Sequence, residues 1–323
     1  MEQPLIIPAP LKEGDLIAIV SPSGTVKAEL VTDAAEVLRR HGWRVRIYPH
    51  ALGKWRTYSG TPEERFSDLS EALLDPEVKA ILCSRGGYGA VHLLTQLSAL
   101  PLRDNPKWII GYSDISALHA LMHRNGIASI HAPMAKHLSA FEGKDDDSQA
   151  LFDLLTGKPF SYEIPANPLN RPGTAEGPLA GGNLAVIADL ISTPYDVIRP
   201  GCILFIEDIA EPVYKTERIL YQLKLSGVLA RIKGLIVGAF TEYNRDVDGH
   251  TMDDMIHRMV AEYDYPVAFG VPVGHIDHNL PLPVSFPTRL TVTPQSTTIA
   301  FLPAITDTVS EERAPDTTSH YVQ

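Results

Sequence analysis

Apolar and polar positions along the first half of the chain switch repeatedly between strand and helix periods. Asp15-Leu16-Ile17-Ala18-Ile19-Val20 is apolar and β-rich and stops at Ser21-Pro22-Ser23-Gly24. Glu29 to His41 carries a helical pattern that ends before Gly42, and Trp43-Arg44-Val45-Arg46-Ile47-Tyr48 alternates as a strand does. Thr61-Pro62-Glu63-Glu64 offers an N-cap, a proline at the first helical position and a glutamate at N3, which predicts a helix start. Lys79-Ala80-Ile81-Leu82-Cys83 predicts the next strand, stopping at Gly86-Gly87, and Ala90 to Leu97 a helix. Trp108 to Tyr112 predicts a strand, Ile115 to Arg124 a helix, and Ala128-Ser129-Ile130-His131 a further strand. Repeated β-α units with short loops predict a parallel, flavodoxin-like sheet covered by helices over residues 1–157.

The pattern breaks between Gly157 and Pro178, where Pro159, Pro165, Pro168, Pro172 and Pro178 fall together with Asn167, Asn170 and Gly173. Residues 158–178 therefore read as a linker. A second, mixed α/β domain rich in strands is expected over 179–305. A helix follows Gly181-Gly182-Asn183 to about Ser192, Cys202 to Glu207 is a strand, and Tyr214 to Leu225 a helix. Gly234 to Phe240 is a strand and Asp253 to Tyr263 a helix, and Leu290–Thr293 with Thr297–Phe301 reads as a hairpin. The tail 306–323 is polar and expected to be loose.

Composition narrows the function. The chain has 323 residues, 44% hydrophobic and 21% charged, with a net charge of -11. An acidic surface repels phosphate backbones and no long basic run offsets it, so nucleic acid is not an expected partner. Met1 to Pro8 lacks the charged and apolar regions of a signal peptide, and the longest apolar runs are strand-sized, so a cytoplasmic protein with no membrane segment is expected. The two cysteines, Cys83 and Cys202, lie inside apolar runs without a CxxC pattern, which suits buried free thiols.

Several short stretches could carry chemistry. Gly111-Tyr112-Ser113-Asp114 lies at a strand-to-helix turn, where a serine hydroxyl can stand clear of the sheet and free N–H groups can meet an oxyanion. The elbow pattern wants glycine two residues after the serine and finds Ile115, and Ser113 or Asp114 could equally be a helix cap. Arg85-Gly86-Gly87-Tyr88-Gly89 lets the backbone approach a ligand and aim N–H groups at an anion, or is a plain turn. It is not a dinucleotide or ATP fingerprint. Glu207 and Asp208 close an apolar strand and point to opposite faces, so one of them could orient a histidine. Among twelve histidines, His275 follows a short apolar segment on a loop with Asp277 and His278, a suitable place for a general base. His119 and His123 have i,i+4 spacing, but Ala120 replaces the glutamate of HExxH and no third ligand is evident.

Together these stretches resemble the LD-carboxypeptidase family of serine peptidases. The likeness also includes Tyr58-Ser59-Gly60-Thr61-Pro62-Glu63-Glu64-Arg65 with Asp68, Gly181-Gly182-Asn183-Leu184, Ile206-Glu207-Asp208 and Gly274-His275, in order and at family-like spacing. The resemblance implies a Ser-Glu-His triad, carried onto Ser113, Glu207 and His275. It also implies an oxyanion hole from Gly87, with Gly86 beside it, and Asp114. Arg85 and Asn183 are the substrate-binding candidates, Arg85 for a terminal carboxylate. No metal or cofactor is required. The implied reaction is hydrolysis of the L,D-amide bond that links terminal D-alanine to the third residue of murein tetrapeptide, in cell-wall recycling, by a homodimer. Self-immunity peptidases that cleave a peptidyl-nucleotide of the microcin C type share this chemistry, and a non-catalytic binding protein for an anionic ligand is a reading from another class. One departure is local: where the family has a Pro-x-Gly turn, this chain has Pro283-Val284-Ser285-Phe286.

Overall fold

The computed structural model describes residues 4–245 and 249–302. The first half follows the predicted β-α order: β1 (Leu16–Val20), α1 (Ala28–Arg40), β2 (Arg44–Ile47), α2 (Pro62–Leu74), β3 (Val78–Cys83), α3 (Leu94–Leu97), β4 (Trp108–Gly111), α4 (Ser116–Arg124), β5 (Ser129–His131), α5 (Ala135–Phe141) and α6 (Asp146–Leu155). The second half adds β6 (Ser161–Pro165), β7 (Gly173–Asn183), α7 (Leu184–Asp189), β8 (Ile203–Ile209), α8 (Val213–Leu225), β9 (Gly234–Thr241), α9 (Met252–Met259), β10 (Val267–Ala268), β11 (Leu282–Val284), β12 (Pro287–Val292) and β13 (Ser296–Phe301). The predicted capping box at α2 forms: the Glu64 N–H donates to Thr61 Oγ1 at 3.2 Å, and the Thr61 N–H donates to Glu64 Oε2 at 2.8 Å.

Two sheets result. The first has the order β11-β5-β4-β3-β1-β2. Its five N-terminal strands are parallel, and β11 joins antiparallel beside β5, with Leu282 opposite His131. Strands β1, β3 and β4 are almost wholly buried, as continuous apolar runs covered on both faces must be. The second sheet has the order β10-β9-β8-β7-β12-β13-β6. Its β7-β8-β9-β10 half is parallel, and its β7-β12-β13-β6 half antiparallel. The class expected from sequence, α/β followed by a strand-rich mixed unit, is the one found.

Two features differ from expectation. Residues 158–178 are not a plain linker, because they hold β6 and the start of β7. The prolines that signalled coil sit where strands tolerate them: Pro165 ends β6, an edge strand, and Pro178 lies where β7 changes partner from β12 to β8. In addition β11, from the second half, completes the sheet of the first, so the chain crosses between the two sheets more than once. Ser285, where the resemblance expects glycine, adopts φ +71 at the turn between β11 and β12, and its hydroxyl lies 2.8 Å from His123 Nδ1. Among the described residues no helix is long and apolar enough to cross a membrane. The tail 306–323 lies outside the described residues.

Candidate active site

Ser113 sits where β4 turns into α4. Its φ is +65, a left-handed conformation sparsely occupied by residues other than glycine. The 3-10 turn Ser113–Ile115 then leads into α4. The elbow thus exists without its second glycine, with Ile115 buried in the core. Backbone strain of this kind is held only where the surroundings over-determine it, and here they do. The buried Asp114 carboxylate accepts from the Ser23 hydroxyl at 2.6 Å and from the Ala90 N–H at 2.9 Å, which ties the loop after β1 and the loop after β3 to the turn. The Gly24 N–H donates to the Gly86 carbonyl at 3.0 Å, joining those two loops directly. Buried Arg65 stitches the same loops from below, donating to the Pro22, Gly60 and Gly89 carbonyls.

Gly86 lies against Ser113 so closely that a Cβ there would stand 2.7 Å from Ser113 Cβ and 2.9 Å from its Oγ. Only glycine fits this contact. Tyr112, the residue before the serine, packs edge-on against the His275 ring with centroids 4.9 Å apart. Burial, reinforced by Glu207 and Asp277, pushes the Tyr112 phenol up to about 12, so it stays neutral.

Glu207 lies near the end of buried β8, and its Oε2 lies 2.8 Å from His275 Nδ1. The carboxylate is fully buried and His275 partly exposed, so the imidazole has one edge on the carboxylate and one toward solvent. Burial alone would raise the Glu207 carboxyl. The contacts from His131 and His275 outweigh it and hold the group below the ordinary glutamate range. Gly274 makes the approach possible, since a Cβ at this position (φ +119) would lie 2.8 Å from Glu207 Oε2. Asp208 points the other way, as strand alternation requires. It accepts from Asn183 Nδ2 and from the Ala185 and Ile209 N–H groups, each at 2.9 Å, and burial pushes it up to about 6.

The other predicted residues separate. Asn183 is buried with both ends of its amide engaged, Nδ2 on Asp208 and Oδ1 accepting from the Val186 N–H at the start of α7. Its own N–H donates to Ser116 Oγ at 3.0 Å, which fixes β7 to α4 beside the Ser113 turn. Arg85 is exposed and donates one N–H to the Thr25 carbonyl at 2.7 Å. His119 and His123 do not converge: His119 bridges Ser129 Oγ and the Gly111 carbonyl, while His123 meets Ser285. Cys83 and Cys202 are buried and unbonded, as expected.

Profiles of the LD-carboxypeptidase N-terminal domain and C-terminal domain match residues 17–132 and 176–290. The chain belongs to the LD-carboxypeptidase family. It is 32% identical to the murein tetrapeptide carboxypeptidase of Pseudomonas aeruginosa over 271 residues, covering 80% of this chain and 87% of the relative. The crystal structure of muramoyltetrapeptide carboxypeptidase from Oxalobacter formigenes superposes with a TM-score of 0.81 at 28% identity, covering 88% of this chain and 98% of that one. The microcin C7 self immunity protein MccF has the same fold, with a TM-score of 0.79 at 23% identity over 92% of this chain and 99% of that one.

Two residues of this LD-carboxypeptidase went unnoticed in the sequence. Asp147 in α6 is buried and reaches the His275 loop: its Oδ2 accepts from the Asn279 N–H at 2.7 Å, and its Oδ1 lies 2.8 Å from His278 Nδ1. Asn279 Oδ1 in turn accepts from the Gly274 N–H at 2.8 Å, next to His275. In sequence Asp147 is one of three consecutive aspartates and looks like a solvated helix start. The second residue is His131, fully buried on β5, with Nε2 3.7 Å from Glu207 Oε1. A histidine at the end of a buried parallel strand, where such sheets place their sites, was the available signal.

Proposed function

We propose that this chain hydrolyses the L,D-amide bond between terminal D-alanine and the third residue of murein tetrapeptide, using Ser113, His275 and Glu207. The reading is supported above all by the Glu207–His275 hydrogen bond at 2.8 Å, on a fold shared with a muramoyltetrapeptide carboxypeptidase, with His275 packed on Tyr112, the neighbour in sequence of a serine in a left-handed turn.

With Nδ1 on the carboxylate, His275 has Nε2 free to take the Ser113 proton. Ser113 Oγ adds to the carbonyl of the L-centre, and the developing oxyanion is met by the N–H groups of Gly87 and Asp114, each contributing about 3 kcal/mol. Glu207 keeps the imidazole in the useful tautomer and stabilises the imidazolium. The imidazolium returns its proton to the departing D-alanine amine as the C–N bond breaks. Water then adds to the acyl-serine, with His275 as base again, and releases the tripeptide. Arg85 has N–H donors beyond the one given to Thr25 and would meet the terminal carboxylate. Asn183 contributes by holding β8, α7 and the turn at Ser116 in register. A cytoplasmic homodimer suits this role.

The test is mass spectrometry of tetrapeptide incubated with the protein. Loss of one alanine is expected, and Ser113→Ala should abolish it while the melting temperature holds. Sustained turnover by the Ser113→Ala protein would show that another group attacks.

A further inference from the structure

Glu207 is an anion with no exposed surface, and only its Oε2 has a hydrogen-bond donor. Burying an ionised carboxylate is costly unless both oxygens are served. His131 Nε2 lies 3.7 Å from the orphaned Oε1. His131 is equally anomalous: its ring is fully buried and neither nitrogen has a hydrogen-bond partner. A buried imidazole with both nitrogens unpaired and a buried carboxylate oxygen without a donor therefore face one another across a gap about 0.8 Å longer than an ordinary N–H···O bond.

The surroundings leave His131 no other polar partner among the described residues. Tyr112 and Phe205 border it with ring centroids 5.8 Å and 5.2 Å away, the latter edge-on. His119 lies 6.3 Å off with both its nitrogens already engaged, and burial holds it neutral with its pKa at about 3. The charged group facing His131 is Glu207, and behind that carboxylate stands His275. On the backbone, His131 lies opposite Gly111 of β4 on one side and Leu282 of β11 on the other, which fixes the ring between the nucleophile strand and the strand that follows the His275 loop.

We infer that His131 is a positioning residue: it donates Nε2–H to Glu207 Oε1 and so holds the carboxylate with Oε2 aimed at His275. The inference rests on the triad reading. One carboxylate then serves two imidazoles, one exposed to the reaction and one sealed in the core.

The test compares His131→Leu, which fills the space without a donor, with His131→Gln, whose amide N–H can reach the same oxygen. His131→Leu is expected to lower kcat about ten- to a hundredfold, the loss that corresponds to a charge-assisted hydrogen bond of about 1.5–3 kcal/mol, with KM within about twofold. The acidic limb of its kcat/KM profile should move to higher pH, since Glu207 is then easier to protonate. His131→Gln should recover most of the rate and return the limb. A folded His131→Leu protein with wild-type kcat and an unmoved limb overturns the inference. The second arm reads nitrogen-15 shifts of the wild-type imidazoles and of Glu207→Gln, and needs neither turnover nor a stable Leu variant. A proton on His131 Nε2, with its resonance displaced by Glu207→Gln, supports the bond. A bare Nε2 overturns it. Absence of alanine release by the wild type would count against the proposed function and leave this second readout standing.

Discussion

Replacing Gly86 by alanine tests how tightly Ser113, the proposed nucleophile, is held. The added Cβ would stand 2.7 Å from Ser113 Cβ, 2.9 Å from its Oγ and 3.3 Å from the Asp114 nitrogen. Carbon atoms settle at about 3.5–4.0 Å, so Ser113 and the Gly86 loop must part by roughly 1 Å. Neither side yields easily: the Gly86 carbonyl is bonded to Gly24, and the Asp114 carboxylate to Ser23 and Ala90. A misplacement of about 1 Å at reacting atoms costs on the order of a hundredfold in rate, or about 2.7 kcal/mol of transition-state stabilisation at 1.36 kcal/mol per decade. The fold should suffer less. Overpacking costs about 1–3 kcal/mol, and the alanine offsets about 0.4–1 kcal/mol of this by restricting the unfolded chain. Initial rates of D-alanine release by mass spectrometry, with a thermal melt of the same samples, separate the two effects. A folded Gly86→Ala protein with kcat/KM within twofold of wild type would refute the close-approach argument.

Two further changes probe the supports of the site. Asp147→Ala leaves the buried Asn279 N–H without its acceptor, a loss of about 1–3 kcal/mol; the melting temperature should drop, and kcat should fall more than KM changes, whereas wild-type values of both would show that the His275 loop holds itself. His119, lowered from 6.5 to about 3 mainly by burial, makes the protein sensitive to acid: the unfolded chain takes the proton first, so this stability is complete above pH 6.5 and is lost as pH falls. The loss between pH 7 and pH 5 is about 2 kcal/mol, and His119→Gln should remove that part of the slope in denaturant midpoints measured at the two pH values; identical slopes in both proteins would count against it.

Much of this arrangement was readable in the residues, because local signals and the fold agree where the chain is regular. The capping box at Thr61, the apolar runs of β1, β3 and β4, and the hairpin of β12 and β13 are short-range patterns, and each appears nearly where its residues placed it. Ser113 was legible as a turn residue but not as a strained one, since position 115 is isoleucine and the strain is held by Asp114 contacts 24 and 91 residues away in sequence. The choice between Glu207 and Asp208 was beyond periodicity: alternation says only that they diverge, the family resemblance singled out Glu207, and in the fold Glu207 meets His275 while Asp208 meets Asn183. His131, Asp147 and the crossing of β11 depend on pairings between distant segments, about which periodicity is silent. The segment 158–178 misled for the converse reason, because its prolines report a local preference that an edge strand and a partner change accommodate.

The placement of β11 has a consequence for when the chain becomes active. His275 rides on a segment that leaves the second sheet at Ala268 and enters the first at Leu282. Ser113, in the turn after β4, is made far earlier. As the chain emerges from a ribosome, the first half can assemble its parallel strands and the Ser113 turn, whereas the His275 loop, held at Glu207 and at Asp147, is joined to β5 only once residues 282–284 have been synthesised. A product truncated before β11 would therefore carry the serine turn with the His275 loop not yet joined to β5, and the proposed hydrolysis should be weaker in it.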